Sequence, residues 1–364
     1  MAICKYCGKK AGLFSHFHKE CEEKNKQGIV ILEGSIKSFF RNAISIQELC
    51  NVKNSVINKY CVLYEDVSLA SAKCIDEWTN NIHWPFKPSH LNKIKEFLTN
   101  IGVSYNSINN EGALDRLCQK MLKGFMAEFF TDKKSMQRAV EISQKVKNTL
   151  PLARDKEEQA YYDMLAKAGK KFIVDGVISQ TNQQKIDEYV SFLGLSLTNL
   201  PYSLKGYAIE ELGQASILSD LQAGRTPKYV INTPVILSKG EIALWCYNNV
   251  TMYQEKIKRE YVGRSSGFSF PIVKGLRYRT GGFKGHPVES SYMDNMGAGS
   301  LIITNKNIIF WGQTRSIKVP YKKIIGINPY SDGMEVQRDG SNVKRLTFQG
   351  FDCSFVMNVL SIIQ

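Results

Sequence analysis

The chain has 364 residues, 43% hydrophobic and 23% charged, with a formal net charge of +14. This is an ordinary globular composition, long enough for two or three domains with real cores. No run approaches the roughly 18 consecutive apolar residues of a membrane span, and no apolar signal core follows the N-terminus, so a cytoplasmic protein is expected. The positive balance points to polyanionic partners: nucleic acid, anionic lipid or acidic protein surfaces.

Of nine cysteines, Cys50, Cys61, Cys74, Cys118, Cys246 and Cys353 are scattered, as buried thiols in a reducing compartment would be. Cys4, Cys7 and Cys21 cluster in CKYCGKKAGLFSHFHKEC. The C-x-x-C spacing lets two thiolates converge on one ion, with Gly8 suited to the turn. His18 and Cys21, three apart, share a helix face and complete a tetrahedral Cys, Cys, His, Cys set. His16 competes with His18 for the imidazole position, with His18 favoured. Four protein ligands leave no open position, so the expected cofactor is a structural Zn²⁺, worth about 10–16 kcal/mol in zinc-finger peptides. The segment resembles the small C2HC fingers at the ends of many bacterial multidomain proteins, which implies a zinc finger over residues 1–27.

Residues 28–225 are predicted to be all-helical. Leu114, Leu117, Cys118, Met121, Leu122, Phe125 and Phe129 recur at three- and four-residue steps as one apolar stripe. Residues 80–112 are rich in turn formers and are expected to separate two helical subdomains. There His83, Trp84, Phe86 and His90 flank two prolines; such aromatics more often pin a loop to the core than form a recognition loop. Over about 155–200 two amphipathic helices flank Asp175-Gly176, the second with Ile186, Tyr189, Val190 and Leu193 on one face, Ser179 or Thr181 as its cap and Gly194 as its stop. A calcium loop is set aside because Val177 lacks a ligand oxygen. DGVIS followed by LGL resembles the helical tellurite-resistance-B-like domains. That family places acidic residues near this turn, whereas Thr181 to Gln184 are neutral here, so the resemblance implies a fold alone.

Beyond Gly224 to Pro227 the texture becomes β-rich. In GSLIITNKNIIFWG, Leu301 to Thr304 and Ile308 to Trp311 are strand-like, joined through Asn305-Lys306-Asn307. Asp332-Gly333 and Asp339-Gly340 punctuate further strands. Phe355, Val356, Val359, Leu360 and Ile363 follow at helical spacing. With Gly299, Leu301, Thr304 and Phe310 in a G-x-L-x-x-T and aromatic pattern, and VPYKKI after it, residues 230–364 resemble bacterial pleckstrin-homology-like (PH-like) and GRAM-type domains. The resemblance implies an antiparallel barrel closed by one capping helix.

From residue 230 onward the chain carries 17 Lys and Arg against 9 Asp and Glu, an excess of eight within the formal +14. An inserted segment, about 259–298, holds Arg259, Arg264, Lys274, Arg277, Arg279 and Lys284 among aromatic residues and is expected to be irregular and pliable because of its glycines. These six residues are the candidate anionic-surface contacts; interleaved Arg and aromatics equally suit single-stranded nucleic acid.

No P-loop or dinucleotide-binding string occurs. His286, near Ser290, Ser291 and Asp294, is the one candidate centre for a hydrolase. The expectation is therefore a multidomain α+β, non-catalytic adaptor with a zinc finger, a helical middle and a PH-like domain. It binds a protein partner or an anionic lipid surface, peripheral at the inner membrane face; the alternatives are nucleic-acid binding and hydrolysis near His286.

Overall fold

The computed structural model describes residues 2–11, 16–83, 86–198, 200, 207–229, 231–273, 276–340 and 344–363, with backbone alone at 207 and 259–288. The chain divides into two compact units. The first is Met1–Phe172, Thr181–Leu195 and Pro201–Ile209; the second is Ile173–Gln180, Ser196–Leu200 and Glu210–Gln364.

The first unit is helical. It comprises α1 (Lys19–Phe40), α2 (Ile46–Tyr60), α3 (Tyr64–Asn81), α4 (Pro88–Asn100), α5 (Tyr105–Ile108), α6 (Ala113–Phe130), α7 (Met136–Thr149), α8 (Arg154–Phe172) and α9 (Gln180–Leu193). Local chemistry sets the starts: Ser45 accepts from the Glu48 N–H at 3.2 Å while the Glu48 carboxylate accepts from the Ser45 N–H at 2.7 Å, a capping box at the head of α2. Burial selects the faces. Leu32, Ile36 and Phe39 of α1 are fully buried, as are Leu117, Met121 and Leu122 of the predicted stripe on α6. Tyr189 of α9 is fully buried too, ring against Phe129 and Phe130, and its hydroxyl donates to the Tyr161 carbonyl at 3.0 Å.

The turn-rich stretch 80–112 holds a full helix and lies inside this unit, where a separator was expected. Pro88 supplies the pre-organised first turn of α4, and Ile94 and Phe97 bury one face, with Phe97 5.1 Å from Phe40 between ring centroids. Phe86 is buried and packs edge-on to His90, so these aromatics pin the chain to the core; Trp84 lies outside the described residues.

Gly28 is closely approached by the end of α2 and the residues just after it. A Cβ there would meet Val62 Cγ2 at 2.5 Å and Tyr60 Cβ at 2.6 Å. Gly28→Ala is expected to destabilise the protein by about 1–3 kcal/mol through overpacking, read as a lower urea midpoint with an unchanged slope; an unchanged midpoint would show that the end of α2 yields.

Asp175 and Gly176, both at positive φ (51° and 79°), form a two-residue hairpin turn between β1 (Ile173–Val174) and β2 (Val177–Ile178). A plain interhelical turn was expected here. The hairpin belongs to the second unit, where the Ile178 N–H donates to Ser219 Oγ at 2.9 Å. Helix α10 (Tyr207–Gln222) carries Ser219, and from Glu210 onward it too belongs to this unit. α9 begins at Gln180, so Thr181 lies within the helix and Ser179 at its flank.

The second unit is built on a seven-stranded antiparallel sheet, curled into a half-barrel. Its strands are β3 (Ala243–Val273), β4 (Leu276–Thr304), β5 (Asn307–Gly312), β6 (Ser316–Pro320), β7 (Ile324–Tyr330), β8 (Gly333–Arg338) and β9 (Leu346–Gln349), in the order β6-β5-β4-β3-β9-β8-β7. Alternate residues Leu301 and Ile303, Ile308 and Phe310, and Leu346 and Phe348 point into one core. Helix α11 (Ser354–Ile363) lays Phe355, Val356, Val359 and Leu360 over it, with Phe355 5.9 Å from Trp245 between rings.

The β4–β5 turn is tighter than predicted, because Asn307 already belongs to β5 and Thr304 Oγ1 accepts from the N–H groups of Lys306 (3.1 Å) and Asn307 (2.8 Å). Glu241 clasps this turn from the preceding loop. Its buried carboxylate accepts from Thr304 Oγ1 (2.9 Å), Asn307 Nδ2 (2.6 Å) and Lys318 Nζ (2.7 Å).

Candidate functional site

Residues 2–11 form a small hooked turn, and residues 16–18 lead into α1. Ile3 and Lys10 make an antiparallel bridge, the Cys4 N–H donates to the Lys9 carbonyl at 2.8 Å, and the Gly8 N–H closes the turn on the Cys4 carbonyl at 2.9 Å. Gly8 sits at φ +69°, the conformation that favours glycine in such a turn. His18 is the residue flanking the start of α1, and Cys21 lies in its first turn.

This geometry gathers Cys4, Cys7, His18 and Cys21 so that their ligand atoms all lie within 4.8 Å of one another. The cluster could hold a metal ion. His18 Nδ1 stands 3.3 Å from Cys7 Sγ and 3.8 Å from Cys21 Sγ, while Nε2–H donates to the Lys10 carbonyl at 3.0 Å. That outer bond commits Nε2 to carrying the proton and leaves Nδ1 as the ligand atom. His16 is exposed and outside the cluster; its carbonyl accepts from the Lys5 N–H at 3.1 Å.

The electrostatics suit a cation. Burial works to raise the Cys4 thiol, but the backbone N–H groups of His18, Cys7 and Tyr6 outweigh it and bring the thiol down to about 6. Burial and then the neighbouring Cys7 sulfur push Cys21 up to about 11. His18 is raised, first by the Lys10 carbonyl and then by Cys7. Crowded thiols of this kind resist ionising together, and a divalent ion relieves that repulsion as it displaces their protons. Three sulfurs and one imidazole nitrogen form a soft, four-ligand set with no position left for water or substrate, so the group supplied here would hold structure and would not activate a reactant.

Comparison with family models, curated proteins and solved structures gave no match. The remaining sites therefore rest on their own geometry.

The basic insertion is no irregular loop: it is the outer part of β3 and β4. From Tyr253↔Asn295 to Pro271↔Arg277 the two strands pair without a register shift. Gly263 stands opposite Gly285 and Gly267 opposite Gly281, so glycines read as sources of pliability instead face one another across a continuous backbone ladder. The flanking strand β9 reaches only Gln254, and β5 reaches only Gly299. Beyond them the pair runs on as a two-stranded ribbon about 60 Å long. Arg259 is opposite Glu289, and Arg264 opposite Lys284. The backbone of Arg259, Arg264, Arg277, Arg279 and Lys284 is described but their side chains are not, and Lys274 lies outside the described residues.

An extended strand places the Cα atoms of His286 and Ser290 about 13 Å apart, and Asp294 is ion-paired to Lys256. Gly263-Arg264-Ser265-Ser266-Gly267 has G-x-S-x-G spacing, yet it runs mid-strand without the strand-to-helix turn that exposes a nucleophile. Among the described residues, no helix is long and apolar enough to cross a membrane.

Proposed function

We propose that the protein is a non-catalytic adaptor, in which a structural Zn²⁺ held by Cys4, Cys7, His18 and Cys21 fixes an N-terminal docking knob for a protein partner and a PH-like unit meets an anionic membrane surface through its ribbon. The observation that carries this reading is the ribbon itself. A two-stranded ribbon with both edges open gains little from its own pairing, so a length of about 60 Å is understandable as a contact device. Over residues 259–288 its sequence holds six Lys and Arg against one acidic residue, Glu260. Each cation near an anionic leaflet contributes about 1 kcal/mol. The curled sheet with one helix laid over its core supports the PH-like and GRAM-type resemblance. We place the protein on the cytoplasmic side, peripheral to the membrane.

Co-sedimentation of the full chain with vesicles of phosphatidylcholine alone or mixed with phosphatidylserine tests it. Binding is expected only to the anionic vesicles, weakening from low to physiological salt. Reversing Arg277, Arg279 and Lys284 to Glu should weaken it by at least about a hundredfold. Displacement by single-stranded DNA would move the ribbon to nucleic-acid recognition, and equal binding to neutral vesicles would overturn the electrostatic reading.

A further inference from the structure

A cavity of about 570 Å³ opens in the helical unit between the C-terminal ends of α1 and α3 and the start of α4. That size is within the range of small-molecule sites. One wall is aromatic: Trp78 of α3 stacks on Phe40 of α1 at 4.5 Å and 21°, and His90 of α4 meets Trp78 edge-on at 6.0 Å. Phe40 is buried, whereas Trp78 and His90 are half-buried, so these two rings keep surface for an occupant. The Lys87 N–H donates to His90 Nδ1 at 3.2 Å, which holds the imidazole with its proton on Nε2. Burial, and then the Lys87 charge, lower the His90 pKa, so this wall is uncharged at neutral pH.

The rim is cationic. Lys37, Arg41 and Lys87 line it against one carboxylate, Glu77. Lys37 and Glu77 satisfy each other at 2.7 Å. Among the described residues, neither Arg41 nor Lys87 has a carboxylate partner, and both are exposed. Cys74 lies at the lining as well, but burial pushes its thiol up to about 12. It stays protonated, and the cavity offers no activated nucleophile. An aromatic corner, with the Trp78 and His90 rings at 87° to each other, beside two cations without a carboxylate partner is complementary to a ligand that is aromatic at one end and negatively charged at the other.

We infer that this cavity binds a small aromatic anion, a flat ring carrying one carboxylate or phosphate, with the ring against Trp78 and His90 and the anionic group on Arg41 and Lys87. The site is independent of the ribbon and of the metal centre, so it stands whether or not the adaptor reading does.

Calorimetric titration of the full chain with 1-naphthoate and with AMP tests it and separates the carboxylate from the phosphate form. 1-Naphthalenemethanol and adenosine serve as uncharged counterparts, and inorganic phosphate as the anion without a ring. At least one of the two aromatic anions is expected to bind at least about tenfold more tightly than its uncharged counterpart and than phosphate. Arg41→Glu and Lys87→Glu, both at exposed positions, should each weaken that binding by about tenfold or more, with an unchanged circular dichroism spectrum showing that the fold survives. Trp78→Leu should weaken the uncharged counterpart and the anion alike. Absence of binding by both anions at millimolar concentration overturns the inference, as does binding that neither charge reversal alters.

Discussion

Cys4→Ser is expected to lower bound zinc from about one equivalent per chain to near none, measured by elemental analysis of the purified full chain. Cys4 is the ligand on which the most depends: it is 1% exposed, its sulfur accepts the His18 N–H at 3.4 Å, and against the effect of burial the surrounding backbone N–H groups bring its thiol down to about 6. Serine oxygen replaces a soft thiolate with a weak, protonated donor. Loss of the ion should loosen residues 2–11 and fray the start of α1. The rest of α1 should remain, anchored by Leu32, Ile36 and Phe39 in the helical core. Hydrogen exchange would read this as protection lost near Cys4 and Cys21 and kept from Leu32 onward. His18→Ala should release the metal as Cys4→Ser does, whereas His16→Ala should retain it, because only His18 has its second nitrogen tied to the Lys10 carbonyl. Zinc loading should also release protons at neutral pH, since the Cys21 thiol, held near 11 before the ion binds, must ionise. Full zinc retention by Cys4→Ser would refute the four-ligand assignment.

Glu241→Ala is expected to destabilise the half-barrel by about 2–3 kcal/mol, seen as a lower urea midpoint. Truncation strips the Thr304 hydroxyl and the Asn307 amide of a buried acceptor; Lys318, 42% exposed at its side chain, can turn to water and moderates the loss. The pH dependence has a definite sign. Burial alone would raise this carboxyl, but Lys318, Asn307, Thr304 and the Ser238 N–H overcome it and hold the group at about 2, below its ordinary 4.5. The folded protein thus binds the proton less readily than the unfolded chain, so this stabilisation is complete above about pH 4.5 and is lost as pH falls toward 2. Glu241→Gln should remove that part of the acid dependence, and an unchanged acid midpoint in Glu241→Gln would show that other carboxylates dominate.

The Cys/His cluster was legible because its four candidate ligands lie within 18 residues and their spacing encodes local turns: C-x-x-C for the hook, i to i+3 for the helix start. The α6 stripe and α11 were legible for a similar reason, since amphipathic periodicity reports burial directly. The strand character of Leu301 to Trp311 could be read as well, with an error of one residue in the turn because the bonds from Thr304 Oγ1 to the next two N–H groups leave no mark on hydropathy. Misreadings came where partners are distant or where a residue type has two uses. Gly263 and Gly267 suggest flexibility until Gly285 and Gly281 are found opposite them. The turn formers of residues 80–112 suggested a separator, but Pro88 opens a helix there. The Glu241 clasp spans 63 to 77 residues of sequence, and the aromatic cavity assembles from three helices. Neither has a local signature.

The ribbon's constant register also bears on how this chain can change over evolutionary time. From Tyr253↔Asn295 to Pro271↔Arg277 each step outward on one strand is matched by one step on the other. Removing or adding opposed pairs therefore leaves every pairing at the base in place, including Thr251 and Met252 against β9. An unmatched insertion of one residue would invert the facing of every side chain beyond it. Length in this arm is thus free to vary in paired increments while the sheet that carries it stays fixed, making reach a trait that can be tuned separately from fold.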